Sequence, residues 1–112
     1  MTQSPIFSKT YDFIAWLIPL TIKFPRNQRF VLAGVLQEEA IHFQSFIIEA
    51  AHQQTPLPNL VAADTELDKL RTHLRLCHDL QLISTGQYEH AAARLVEMGR
   101  LLGGWKKKVA AG

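Results

Sequence analysis

Apolar residues recur at three- and four-residue intervals in four separate stretches of this chain, and no strand-like alternation competes with them. The first stretch, about 7–23, is apolar almost all round. Ser8, Asp12, Ala15, Pro19 and Lys23 form one narrow stripe, and almost everything else is apolar: Phe7, Tyr11, Phe13, Ile14, Trp16, Leu17, Ile18, Leu20 and Ile22. A helix packed on one side needs an apolar face of roughly 100°. The excess predicts a second contact, against another subunit, with Phe13, Trp16 and Leu20 as candidate oligomer-interface residues. Pro19 falls in the polar stripe, where water can relieve the hydrogen bond that proline removes.

Phe24-Pro25 predicts a break, because the residue before proline avoids helical angles. The second stretch, about 26–53, turns Phe30, Leu32, Val35, Leu36, Phe43, Phe46, Ile47 and Ala50 inward and Glu38, His42, Ser45 and Glu49 outward. Thr55-Pro56-Leu57-Pro58-Asn59 reads as a loop. The third stretch, about 62–83, places Leu67, Leu70, Leu74 and Cys77 at core spacing, with Asp64 as a candidate N-cap. Ser84 and Gln87 form a capping box for the fourth, about 85–105. Its inward residues are Tyr88, Ala91, Leu95, Met98, Leu102 and Trp105, with Trp105 as a core anchor. Ala92, Val96, Gly99 and Gly103 make a second stripe. A glycine inside a helix costs about 1 kcal/mol relative to alanine, so such positions mark the close approach of another backbone or a helix that is ending. Gly103-Gly104 predicts an ending, followed by a loose basic tail at 106–112. Together these elements predict a single all-α domain over 1–112, an up-down-up-down four-helix bundle.

Composition narrows the function. The 112 residues are 47% hydrophobic and 20% charged, which suits a folded domain and excludes disorder. One cysteine, Cys77, permits no intramolecular disulfide and suits a reducing compartment. No signal-peptide pattern is read at the start, and the longest apolar run, Phe13 to Ile22, is about half of a membrane span. The expectation is a soluble, cytoplasmic protein without a membrane partner. The net charge of +2 conceals a segregation. Between Phe30 and Asp68 there is no Lys or Arg, while Glu38, Glu39, Glu49, Asp64, Glu66 and Asp68 are acidic. Lys23, Arg26 and Arg29 precede that block, and Arg94, Arg100, Lys106, Lys107 and Lys108 crowd the end.

No catalytic arrangement emerges. Glu39-x-x-His42 and Glu49-x-x-His52 have the spacing used in di-iron bundles, but both lie on one helix, about 15 Å apart, and cannot share a centre. His73 and Cys77 share a face, yet Cys77 also continues the Leu67-Leu70-Leu74 stripe, where a small core residue belongs. Cys77 and His78 point about 100° apart as adjacent helix residues, so they make no nucleophile and base. No phosphate-binding glycine loop or nucleophile elbow is present. The expectation is a non-enzyme with no cofactor and no metal. Binding remains, and arginine is well suited to bidentate phosphate contact. Lys23, Arg26, Arg29, Arg71, Arg75, Arg94 and Arg100, with Lys106, Lys107 and Lys108, are the candidate contacts to nucleic acid or a protein partner. Up-down topology divides them between two ends of the bundle.

Several short motifs resemble one known family. Trp16, Lys23-Phe24-Pro25-Arg26 with Arg29-Phe30, Leu74-Arg75, Ile83-Ser84 with Gln87-Tyr88-Glu89, and Gly99-Arg100 with Gly103-Gly104-Trp105 resemble the accessory variability determinant (Avd) family of diversity-generating retroelements. The likeness spans roughly Tyr11 to Trp105. The related S23-like bundles carry a Ser-Ile-x-x-Asn-Ile-Ala-Glu-Gly run in the second helix, where this chain has Phe46-Ile-Ile-Glu-Ala-Ala. The resemblance implies a four-helix bundle that assembles as a barrel-shaped homopentamer. It also implies an accessory role: binding the retroelement's reverse transcriptase and template RNA during adenine-directed mutagenic cDNA synthesis and homing. The best-known members are strongly basic, whereas this chain is +2. An S23-like bundle with a structural or RNA-associated role, and no reverse transcriptase, is the alternative.

Overall fold

Each of the four helices read from the spacing is present in the computed structural model, which describes residues 4–112, with the side chains of 28–30 set apart. Helix α1 spans Pro5–Ile22. Proline suits the opening position because its missing N–H would have no intrahelical partner there. The helix closes where the amides of Lys23 and Phe24 turn back to the carbonyls of Leu20 and Thr21, just before Pro25. A short helical segment, Arg26–Gln28, and a π-helical turn, Arg29–Ala33, lead directly into α2, Gly34–Ala51. Helix α3 spans Leu57–Asp79 and α4 spans Thr85–Ala111.

Three boundaries differ from the reading of the sequence. α3 starts at Leu57, inside the expected loop, because Pro58 lies in the first turn, where no backbone donor is needed; Asp64 is therefore two turns inside the helix and caps nothing. α3 also ends at Asp79 rather than near 83. Gln81 adopts a left-handed φ of 63°, and the Leu82 amide donates to the Cys77 carbonyl at 2.8 Å, a C-terminal motif usually built on glycine. Finally, Gly103-Gly104 does not end α4, and the expected loose tail is helical to Ala111. The Ser84–Gln87 capping box is present as read, with bonds of 2.8 and 3.0 Å.

α1 packs on α2, α2 on α3, α3 on α4, and α4 closes back on α1, so α2 and α4 occupy diagonal corners. The bundle measures 46 × 23 × 21 Å. The core runs its length through Phe13 and Leu17, then Leu36, Phe43 and Ile47, then Leu60, Leu67, Leu70 and Leu74, and finally Leu95 and Met98. Phe13 is 1% exposed and lies in the protomer's own core, so it is not available to an oligomer interface as expected. Trp16 and Leu20 are half-buried and pack against the same core. Most of the apolar excess on α1 is spent within the protomer, because α1 touches both α2 and α4; only Tyr11 and Ile22 among its large apolar residues are exposed. No strand occurs among the described residues, and no helix is long and apolar enough to cross a membrane.

Candidate nucleic-acid interface

Antiparallel connectivity places the α1–α2 and α3–α4 connections at one end of the bundle, here the upper end, and the α2–α3 loop with the end of α4 at the other. Lys23 and Arg26 are exposed at the upper end, where Lys23 follows the last turn of α1 and Arg26 opens the segment leading to α2. Arg29 lies outside the described side chains, as does Phe30. Arg75, on the last turns of α3, is the most exposed of the α3 cations, and only a 4.0 Å contact links it to Asp79. Beside it, His78 stacks on Tyr88 with ring centroids 4.8 Å apart and accepts or donates a 3.1 Å bond with the Thr85 hydroxyl.

Below this end, Arg71 continues the cationic edge along the α3–α4 groove. Its guanidinium donates to Asp68 at 2.7 Å and lies against Gly99 of α4. A Cβ at position 99 would come within 2.6 Å of Arg71 Nη2 and 3.2 Å of Leu67 Cδ2. What approaches Gly99 is thus side chains, an arginine first, and not the backbone expected for this stripe. The groove beside it is a cavity of about 170 Å³ lined by Arg71, Leu74, Tyr88, Ala92, Leu95 and Val96.

The remaining candidates lie elsewhere. Arg94 turns into the α1–α4 groove, where it lines a cavity of about 340 Å³ with Lys9, Asp12, Phe13 and His90. Lys9 also meets Glu97 at 3.2 Å, and Trp16 packs on His90 at 4.6 Å. These pairs join residues far apart in the chain, so Lys9 and His90 leave no local pattern in the sequence. Arg100 and Lys107 are exposed on the outer face of α4. Lys106 is tied to Asp64 of α3 at 3.0 Å, and Lys108 borders a cleft of about 640 Å³ at the lower end. Trp105 lines the same cleft, half-buried and edge-on to Phe7 at 6.0 Å. Lys23, Arg26 and Arg75 thus share the upper end, Lys23 and Arg26 at the α1–α2 connection and Arg75 on the last turns of α3, with Arg71 one turn below it; the other cations stand apart.

The residues of the first Glu-x-x-His spacing, Glu39 and His42, reach partners across the α2–α3 seam instead. Glu39, 8% exposed at the side chain, is bonded through both carboxylate oxygens to His73 Nδ1 at 2.8 Å, across the α2–α3 seam. His42 faces Glu66 at 3.7 Å, and Glu66 also accepts from Lys69 at 3.0 Å. Among the described residues no group of three or more His, Cys, Asp and Glu side chains is placed to hold a metal ion. Cys77 is fully buried, and burial raises its thiol pKa to about 11, because an apolar site disfavours the thiolate. A thiol held protonated in a core is a poor nucleophile.

Comparison with known proteins places this geometry. The bAvd-like family model matches residues 5–109, so the chain belongs to the bAvd-like family. No curated protein matches it. Among solved structures, a protein of unknown function from the S23 ribosomal protein family of Bacteroides thetaiotaomicron VPI-5482 is similar over 96% of this chain and 99% of its own, with 22% identity and a TM-score of 0.86. At that identity the likeness establishes the fold.

Proposed function

We propose that this member of the bAvd-like family is a non-catalytic accessory subunit of a diversity-generating retroelement. In this role it binds the reverse transcriptase and its template RNA in the cytoplasm and supports mutagenic cDNA synthesis and homing. It does so as an assembly of its own copies, a barrel-shaped homopentamer. The observation that carries the reading is the family match over residues 5–109. A contact of this kind is supported by exposed cations, Lys23 and Arg26 at the upper end and Arg75 with Arg71 on α3. Three of these make no short ion pair among the described residues, and the fourth is pre-positioned by Asp68. Phosphate contacts of this kind fix a nucleic acid without reading its sequence, and their affinity falls with salt.

The decisive experiment is co-purification of the full chain with the reverse transcriptase encoded beside it, with and without ribonuclease. RNA-dependent association is expected, and Lys23→Glu with Arg26→Glu and Arg75→Glu should abolish it. Association that survives the triple substitution moves the contact to another surface. No association with any cognate reverse transcriptase overturns the accessory role and leaves an S23-like, RNA-associated bundle.

A further inference from the structure

The outer faces of α2 and α4 are both unpartnered, and their chemistry is opposite. On α2 the exposed stripe is Glu38, Ile41, Ser45, Ile48 and Glu49. Glu38 and Glu49 make no hydrogen bond or ion pair with any described residue, and Ile41 and Ile48 are 40% and 42% exposed. On α4 the exposed stripe is Ala93, Val96, Arg100, Gly104 and Lys107. Arg100 and Lys107 likewise have no partner among the described residues, and Val96 is 65% exposed. Nothing in the protomer comes within 4 Å of a Cβ built at Gly103 or Gly104, so neither glycine serves internal packing. Together they leave the middle of this face low, where a second helix can lie close.

We infer that these two faces bind each other between copies of this chain, head to tail: the acidic, isoleucine-bearing face of α2 in one copy on the basic, glycine-notched face of α4 in the next. The charges are complementary in sign, each stripe has its own apolar contact, and both halves are carried by every copy. Because α2 and α4 stand at diagonal corners, the two faces look in opposite directions. A pair of this kind cannot close as a twofold dimer and generates a ring or an open chain. The inference rests on the self-association part of the proposed function and is independent of the nucleic-acid partner. It uses Arg100 and Lys107, which stand apart from the upper-end cations.

Light scattering and sedimentation of the full chain test it. Glu38→Lys with Glu49→Lys should weaken self-association at least about a hundredfold, since like charges meet across the contact, and so should Arg100→Glu with Lys107→Glu. Mixing the two variants should restore association, in alternating chains or even-membered rings, because only unlike copies then present complementary faces, and all four substitutions in one chain should restore the wild-type assembly. Wild-type assembly that neither reversal weakens places the interface on another surface and overturns the inference. A fourfold variant with wild-type helicity that stays monomeric also overturns it. A monomeric wild-type chain removes both the inference and the homo-oligomer, while association with the reverse transcriptase is tested separately.

Discussion

Gly99 offers a sharp test of how the α3–α4 edge is built. In an unobstructed helix interior, Gly→Ala gains about 1 kcal/mol. At position 99 the new methyl would stand 2.6 Å from Arg71 Nη2 and 3.2 Å from Leu67 Cδ2. The guanidinium is the end of a flexible side chain and can leave, at the cost of its seat and of the 2.7 Å bond to Asp68. An ion pair this exposed is worth about 0.2–1 kcal/mol. Leu67 is fully buried and must yield by a few tenths of an ångström, which we take as about 0.5 kcal/mol of strain, below the range for a whole inserted methylene. The terms nearly cancel, so Gly99→Ala alone should leave stability within about 0.5 kcal/mol of wild type. In an Arg71→Ala background the arginine term disappears, and the same substitution should now stabilise by about 0.5 kcal/mol. Urea unfolding of the four proteins at one concentration gives the coupling directly. A full gain of about 1 kcal/mol in both backgrounds, with additive effects, would refute the seating of Arg71 on Gly99.

Three further outcomes follow from buried groups. His73→Ala leaves the Glu39 carboxylate buried without its 2.8 Å partner, and denaturant unfolding should show a loss of about 3 kcal/mol; a loss below about 0.5 would mean that water replaces the imidazole. Cys77 has its folded-state pKa raised from 9.0 to about 11, so its contribution is complete below pH 9 and declines as pH rises toward 11, where the unfolded thiol ionises and the folded one does not. Cys77→Ala should remove that alkaline slope, and a thiol reagent should reach wild-type Cys77 only at the rate of unfolding. Thr10 is fully buried with its hydroxyl unpaired among the described residues, so Thr10→Val should stabilise by about 1 kcal/mol, and a loss in thermal unfolding would mean the hydroxyl has a partner.

The parts legible in the sequence are those governed by local periodicity. Leu67, Leu70, Leu74 and Cys77 are all buried because a 3.6-residue repeat leaves one inner stripe on α3. Ser84 and Gln87 cap α4 because both bonds lie within one turn. Where two local signals conflict, composition misleads. Pro56 and Pro58 suggest a loop, yet a helix's first turn accepts proline, and α3 begins there. Gly103-Gly104 suggests an end, yet Trp105 and Val109 pack on the core beyond it and hold α4 together. Phe13 shows the limit on the site itself: its place on α1 could be read, but whether it faced core or partner depended on α4 closing against α1. The same is true of Arg71 and Arg94. Both were identified as cations, but only the packing shows that one borders the α3–α4 groove while the other turns toward Lys9 and His90.

The small net charge bears on both proposals. With a formal charge of +2, indiscriminate attraction to RNA is weak, so affinity must come from where the cations stand. On the proposed reading, one protomer offers Lys23, Arg26, Arg71 and Arg75 to phosphates, and Arg71 is already partly neutralised by Asp68. At about 0.7 per contact on single-stranded RNA, three free cations give a salt slope of about −2. A log–log slope well beyond −2 requires cations from more than one subunit on the same RNA. A slope near −2 in an assembled protein would mean that a single protomer makes the contact. In the monomeric Arg100→Glu, Lys107→Glu protein the slope should fall to the one-subunit value, because those substitutions separate the copies while leaving the upper-end cations in place. Charge that looks insufficient in one chain becomes sufficient only by repetition, and the slope counts the repeats.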